Sequence, residues 1–279
     1  MDKIIEYFTH IPSSHRSAIL VGGITLFWLI ENGVPLVRFK YNKWSHAGIN
    51  IFFTVTSIIV NFCLAVVLLF ASDWAVAHRF GLLQWLPEMP LWLFAIVGML
   101  LLDLVGAYFV HWTEHKVRWM WRFHLVHHSD RHVDTTSANR HHPGESIFRF
   151  IFTTFGVFVA GAPIWLVMLY QSISVILSQF NHANITLPKR LDDILSWVIV
   201  SPNMHKVHHH YVLPYTDSNY GNIFSIWDRL FGTFMTLDTE QLVYGIDTHF
   251  EEKENSNLGR LLKIPFEAYR APVGVKEDF

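Results

Sequence analysis

Apolar residues fall into four long blocks along this chain, with polar residues collected between and after them. The first block covers about residues 17–37, interrupted by Glu31 and Asn32; the second covers about 48–71 and the third about 89–110. Each reaches the roughly 20 residues that a helix needs to cross a bilayer, so three spanning helices are predicted. The fourth block, 147–180, differs. Its 34 positions would make a helix ~51 Å long at ~1.5 Å per residue, too long for one upright crossing of a ~30 Å core and too short for two. Gly161-Ala162-Pro163 lies near its middle, and proline breaks a helix. The pattern predicts a broken helical hairpin that enters partway and returns to the side it came from, its irregular turn packed against protein.

Between the first two blocks lies RFKYNKWSH, with Arg38, Lys40 and Lys43. Short basic loops stay in the cytoplasm, so the third helix ends on that side, where Lys116, Arg118, Arg122 and Arg131 follow. The expected fold is all-α: an integral membrane helical bundle with three spanning helices, a broken hairpin and a cytosolic histidine-rich helical cap. Residues 1–95 read as an N-terminal membrane region and 96–237 as the catalytic region, including the hairpin 147–180. Residues 238–279 read as a small, soluble cytosolic tail.

Composition agrees. Of 279 residues, 51% are hydrophobic and only 16% charged, where soluble domains run nearer a quarter charged. A net charge of −2 gives no electrostatic footprint for nucleic acid. The single cysteine, Cys63, excludes an internal disulfide framework, a Cys-ligated zinc and a Cys-held iron–sulfur cluster. The N-terminus has no basic stretch leading directly into an apolar core, so no cleavable signal peptide is expected.

Thirteen of the eighteen histidines lie between His111 and His210. They form three tight clusters: HWTEH (His111, His115), HLVHH (His124, His127, His128) and HKVHH (His205, His208, His209). Neutral imidazole is the commonest protein metal ligand, and positions i, i+3 and i+4 of a helix share a face. Each cluster can therefore aim two or three nitrogens at one point. Eight ligands are too many for one tetrahedral zinc, which suggests two metal ions. His182 follows the hairpin, whose topology returns it to the cluster side, so it joins the expected ligands. His142 precedes Pro143 and belongs to a turn; it is expected to orient the site. His10, His15, His46, His78 and His249 lie outside the block and read as ordinary histidines, with His132 and His210 as flanking groups.

Imidazole also suits iron, and an imidazole-rich di-metal centre is compatible with O₂ activation beside apolar substrate. With Asp103 eight residues before the first histidine, the series HxxxH, HxxHH, HxxHH resembles the fatty acid hydroxylase / sterol desaturase superfamily of membrane non-haem di-iron enzymes. WRFHLVHHSD, NRHHPGE, QFNHAN, SPNMHKVHHH and DSNYGNIFSIWDRLFGTF are similar to that family's strings as well. The resemblance covers about 95–235. It implies O₂-dependent hydroxylation or desaturation of a lipid at two iron ions on the cytosolic face, with zinc an alternative occupant in overexpressed protein. It carries metal ligation onto the eight clustered histidines and His182. Some relatives have a second histidine near that position, where this chain has Asn181 and Asn184.

Metal-bound imidazoles donate their other N–H to an acceptor. Asp103, on a membrane helix where an unpaired charge is costly, is expected to partner a ligand histidine. Glu145 and Asp228 are further candidates, with Glu114, Asp130 and Asp217 behind them. The chain carries no dinucleotide fingerprint, P-loop or flavin signature. Electrons are therefore expected from an external carrier, a ferredoxin or a b-type cytochrome with an NAD(P)H reductase. A histidine-rich metal transporter and a bis-histidine haem carrier are the alternatives of other classes. Transport places ionisable groups along a route across the membrane, whereas these histidines gather on one side.

Overall fold

A computed structural model describes residues 2–273, and among them helix is the only extended secondary structure. Short α1 (Asp2–Thr9) and α2 (Ser13–Gly33) precede α3 (Lys43–Ala77), whose first turn is capped by the Asn42 side chain accepting from Ser45 N. After α4 (Leu82–Trp85) comes α5 (Leu91–Asp103), which continues through a π-helical turn, Leu104–Phe109, into α6 (Val110–Lys116). Next come α7 (Arg118–His128), the hairpin arms α8 (Pro143–Ala160) and α9 (Ile164–His182), then α10 (Lys189–Leu195) and α11 (Pro202–His208). The chain closes with α12 (Ile226–Leu230), α13 (Glu252–Asn255) and α14 (Leu258–Lys263).

Three helical stretches are long and apolar enough to cross a membrane: Lys43–Trp85, Leu91–Lys116 and Ile164–His182. Two match the second and third apolar blocks. The third is the hairpin's returning arm, not the first block. That block folds as α2, whose ends carry Ser13, Ser14, His15 and Arg16 on one side and Glu31 and Asn32 on the other, so its apolar stretch is too short.

The hairpin breaks where expected, with Gly161 in the left-handed region at φ +66°. It does not stop partway. Its arms, 18 and 19 residues long, rise about 27 and 28 Å. Its turn meets the far end of α3: Ser72 Oγ donates to Ala162 O at 2.8 Å, and Gln84 Nε2 donates to Gly161 O at 2.8 Å. Gly81 and Gly161 touch backbone to backbone there; a Cβ on Gly161 would lie 2.4 Å from Phe80 O. Leu68, Leu102, Val157, Leu166 and Val167 fill the core between these helices.

All the histidine-bearing ends meet at the opposite end of the bundle. Residues 238–273 do not stand apart as an appendage. Ile246, Leu261 and Ile264 pack with Phe53, Trp121, Leu125 and Val126, and the buried Arg140 donates to Asn255 O at 2.7 Å. Apolar residues spaced along the tail thus cover the outer face of α7.

Candidate metal centre

On a helix, residues i and i+4 lie about 40° apart while i+3 falls to the other side of i. Each HxxHH motif is therefore split. On α7, His124 and His128 face one point and His127 another; on α11 and its C-cap, His205 and His209 pair and His208 turns away. Two groups result. His111, His115, His124, His128 and His208 form one, and His127, His182, His205 and His209 form the other; within each, one potential ligand atom per residue lies within 4.8 Å of all the others. The nine histidines singled out in the sequence are these nine. The expectation that each cluster serves a single point gives way to a division of two clusters between two groups.

Hydrogen bonds fix the tautomers. His111 Nδ1 donates to Tyr220 O at 2.8 Å, His208 Nδ1 to Ser218 O at 2.6 Å, and His182 Nδ1 to Ser178 O at 2.7 Å. His124 Nδ1 donates to Glu145 Oε1 at 2.8 Å and His115 Nδ1 to Asp217 Oδ1 at 3.2 Å. A neutral imidazole that donates from Nδ1 keeps a bare lone pair on Nε2. His111 Nε2 and His124 Nε2 then face each other at 3.1 Å. His182 Nε2 faces the Nε2 atoms of His127, His205 and His209 at 3.2, 3.1 and 3.3 Å. His115 Nε2, His208 Nε2 and both His128 nitrogens are buried without a partner.

Burial keeps the rings neutral. It holds the His124 imidazole down at about 3, and His127, His128, His205, His208 and His209 well below the usual imidazole range. Converging buried lone pairs repel one another and cost free energy unless something electropositive sits between them. Neutral, bare nitrogens are what a metal ion binds, so both groups fit one.

The segment 217–228 supplies three of those Nδ1 acceptors, and two buried carboxylates hold it. Asp228 accepts from Tyr220 N at 2.7 Å and Gly221 N at 2.9 Å. Asp103 accepts from Ile223 N, Phe224 N and Trp227 Nε1 at 3.3, 3.1 and 3.0 Å. Asp103 thus contacts no histidine, contrary to expectation, and reaches the site only through this loop. Glu145 contacts His124 directly and also accepts from Arg149 Nε at 2.9 Å; Arg149 donates its other end to Glu114.

His142 lies outside the groups. It caps α8, its Nδ1 accepting from Gly144 N at 3.0 Å, with its ring against Phe123 and Phe266. Its neighbour His141 stands there instead, stacked on His127 at 4.7 Å and donating to Glu145 Oε1 at 2.7 Å. The i, i+4 spacing of His141 and Glu145 was the signal for it. Two other contributors come from the N-terminal helices. Glu31 Oε1 accepts from Thr135 N at 2.7 Å and Asn184 N at 2.8 Å, tying the chain beyond His128 to the chain beyond His182. His46 Nε2 bonds Asp130 at 2.9 Å, so it is not the incidental histidine its position suggested. A glutamate inside an apolar block is costly without partners, and that marked Glu31.

The sequence profile described as "Fatty acid hydroxylase" matches residues 95–233, which hold all nine histidines. The chain belongs to the fatty acid hydroxylase family. Among curated proteins it is 26% identical over 150 residues to an ornithine lipid hydroxylase of Rhizobium tropici, covering 54% of this chain and 44% of that protein. It is 33% identical over 144 residues to an alkylglycerol monooxygenase of Xenopus tropicalis, covering 52% and 31%. A cholesterol 25-hydroxylase-like protein of Danio rerio is 30% identical over 139 residues, covering 48% and 53%. The chain spans about half or less of the length of these relatives. No solved structure matches it.

Proposed function

We propose that this protein is a membrane-bound non-haem di-iron oxidoreductase that hydroxylates a C–H bond of a membrane lipid with O₂. The observation that carries the reading is the convergence of bare, buried Nε2 atoms on two adjacent points at one end of a membrane bundle. His111, His115, His124, His128 and His208 would hold one ion, and His127, His182, His205 and His209 the other. Iron bound there would supply O₂ activation, using electrons from an external ferredoxin or b-type cytochrome with its NAD(P)H reductase.

The protein's own groups do the rest. Tyr220 O, Ser218 O, Asp217, Glu145 and Ser178 O hold a proton on Nδ1 of five rings and so keep each Nε2 aimed inward. Asp103 and Asp228 anchor the loop that carries three of these acceptors. The tail residues Ile246, Leu261 and Ile264 close the outer face of α7 against water. The basic loop at Arg38–Lys43 supports a site on the cytoplasmic face. The named relatives are hydroxylases and monooxygenases, which favours hydroxylation over desaturation. Gathering of both groups at one end of the bundle favours an enzyme over a transporter.

Membranes carrying the iron-loaded protein, a donor system and heavy-isotope O₂ should yield a lipid product one labelled oxygen heavier than its precursor. A product lacking two hydrogens and carrying no label would replace this reading with desaturation.

A further inference from the structure

Seven large apolar side chains are bare on a part of the molecule that none of the spanning helices contains. Leu191, Ile194, Trp197 and Val198 form one stripe along α10 and the turn after it, at helical spacing. Ile226, Leu230 and Phe231 continue it on α12. Ile194 is 60%, Trp197 68% and Leu230 66% exposed. The two stretches are joined: Ile199 pairs with Phe224, and Val200 N donates to Ile223 O at 3.0 Å. A contiguous apolar surface of this kind marks a contact with a partner or a membrane.

Two independent contacts fix its depth. Ile223, Phe224 and Trp227 bond Asp103, eight residues before His111 on one span. Asn222 Nδ2 donates to Ser174 Oγ at 2.7 Å, eight residues before His182 on another. Both spans run toward the histidine end, and eight residues of helix rise about 12 Å. Asn222 O also accepts from Asn181 Nδ2, beside His182, at 3.3 Å, so the segment 222–227 descends from the histidine level to that of Asp103, on the side of the apolar bundle core and not above it. Phe231 extends that surface onto the span itself, 5.2 Å from Tyr108 and 5.5 Å from the exposed Phe109.

The charges sit where an interfacial segment places them. Lys189 and Arg190 stand at the start of α10, and Lys189 pairs with Asp193 at 3.0 Å on the exposed rim. The Arg229 guanidinium lies over the Trp197 ring at 4.6 Å and over Phe234 at 4.0 Å, a cation held on aromatic faces while it donates to Ser225 O and Ser196 Oγ. From this geometry we propose that the α10–α12 platform, residues 189–200 and 222–231, is embedded in the bilayer leaflet on the histidine side. The bilayer is its partner, and the bare stripe faces acyl chains. This inference rests on the membrane placement of the bundle and is independent of the chemistry at the metal centre.

Nitroxide accessibility in the full-length, metal-loaded protein, reconstituted in phosphatidylcholine nanodiscs, tests it. In a Cys63→Ser background, Ile194→Cys and Leu230→Cys carry the label, and Val198→Cys and Ile226→Cys repeat the measurement if either does not fold. Native Cys63, exposed on α3, is the lipid reference; Ser256→Cys, exposed on the tail, is the water reference. The platform labels should be relaxed more by O₂ than by a water-soluble nickel chelate, as at Cys63, with the order reversed at Ser256. Relaxation dominated by the chelate would make the stripe a water-facing surface. Exclusion of both reagents would mean that protein, from a second copy or another partner, covers it. Either result overturns the proposal.

Discussion

At His111, His115, His124, His182 and His208 an acceptor on Nδ1 (two at His182, Ser178 O and Asn181 Oδ1) determines what the ring can do, because it leaves Nε2 as the only free base. Asp217 shows how far the surroundings are tuned to this. Burial alone would raise its carboxyl, yet hydrogen bonds from His115 and Lys116 outweigh burial and hold it down at about 2, so it stays an acceptor through the neutral range. His142 and His182 differ in the same currency: one nitrogen of His142 caps a helix, whereas Nε2 of His182 faces three other imidazoles. Replacing His182 by alanine should remove metal together with turnover. His142→Ala should keep the full metal content and lose about 1 kcal/mol of stability, the usual worth of an N-cap. Elemental analysis and thermal melting of the two variants check both outcomes; full metal in His182→Ala would strike that residue from the proposed ligands.

The elements show which parts of the architecture could be read from the chain. Histidines at i and i+4 had to share a helical face, with i+3 turned to another, and Gly161-Ala162-Pro163 had to break its helix; both are local effects, and both are present. Neither which rings each half of an HxxHH meets nor the role of Asp103 is local. Each depends on where α11 and the 217–228 loop lie against α6 and α7, and hydropathy carries no record of that. The hairpin's depth was misjudged for a related reason: counting only its apolar residues omitted Pro143–Ser146, the first turn of α8, which is polar because it borders the histidines. Gly161→Ala should be destabilising by more than the ~1 kcal/mol of a left-handed alanine, since its Cβ would also meet Phe80 O at 2.4 Å. A melting temperature equal to that of the parent would show that the turn is not packed against the α3–α4 corner as described.

Across the whole molecule, the family-matched residues 95–233 are completed from both sides. Glu31 and His46 come from helices before that region, while Ile246, Leu261 and Ile264 come from the tail after it. The tail's polar composition hid this packing, because its few apolar residues are spread along short turns that show no helical stripe. What these parts enclose is two sets of converging neutral imidazoles, five and four in number. The account stands on each set holding an ion. Elemental analysis of protein made in iron-replete cells and purified without chelators should find two metal ions per chain, iron or adventitious zinc. A stoichiometry of one, or of none, would contradict it.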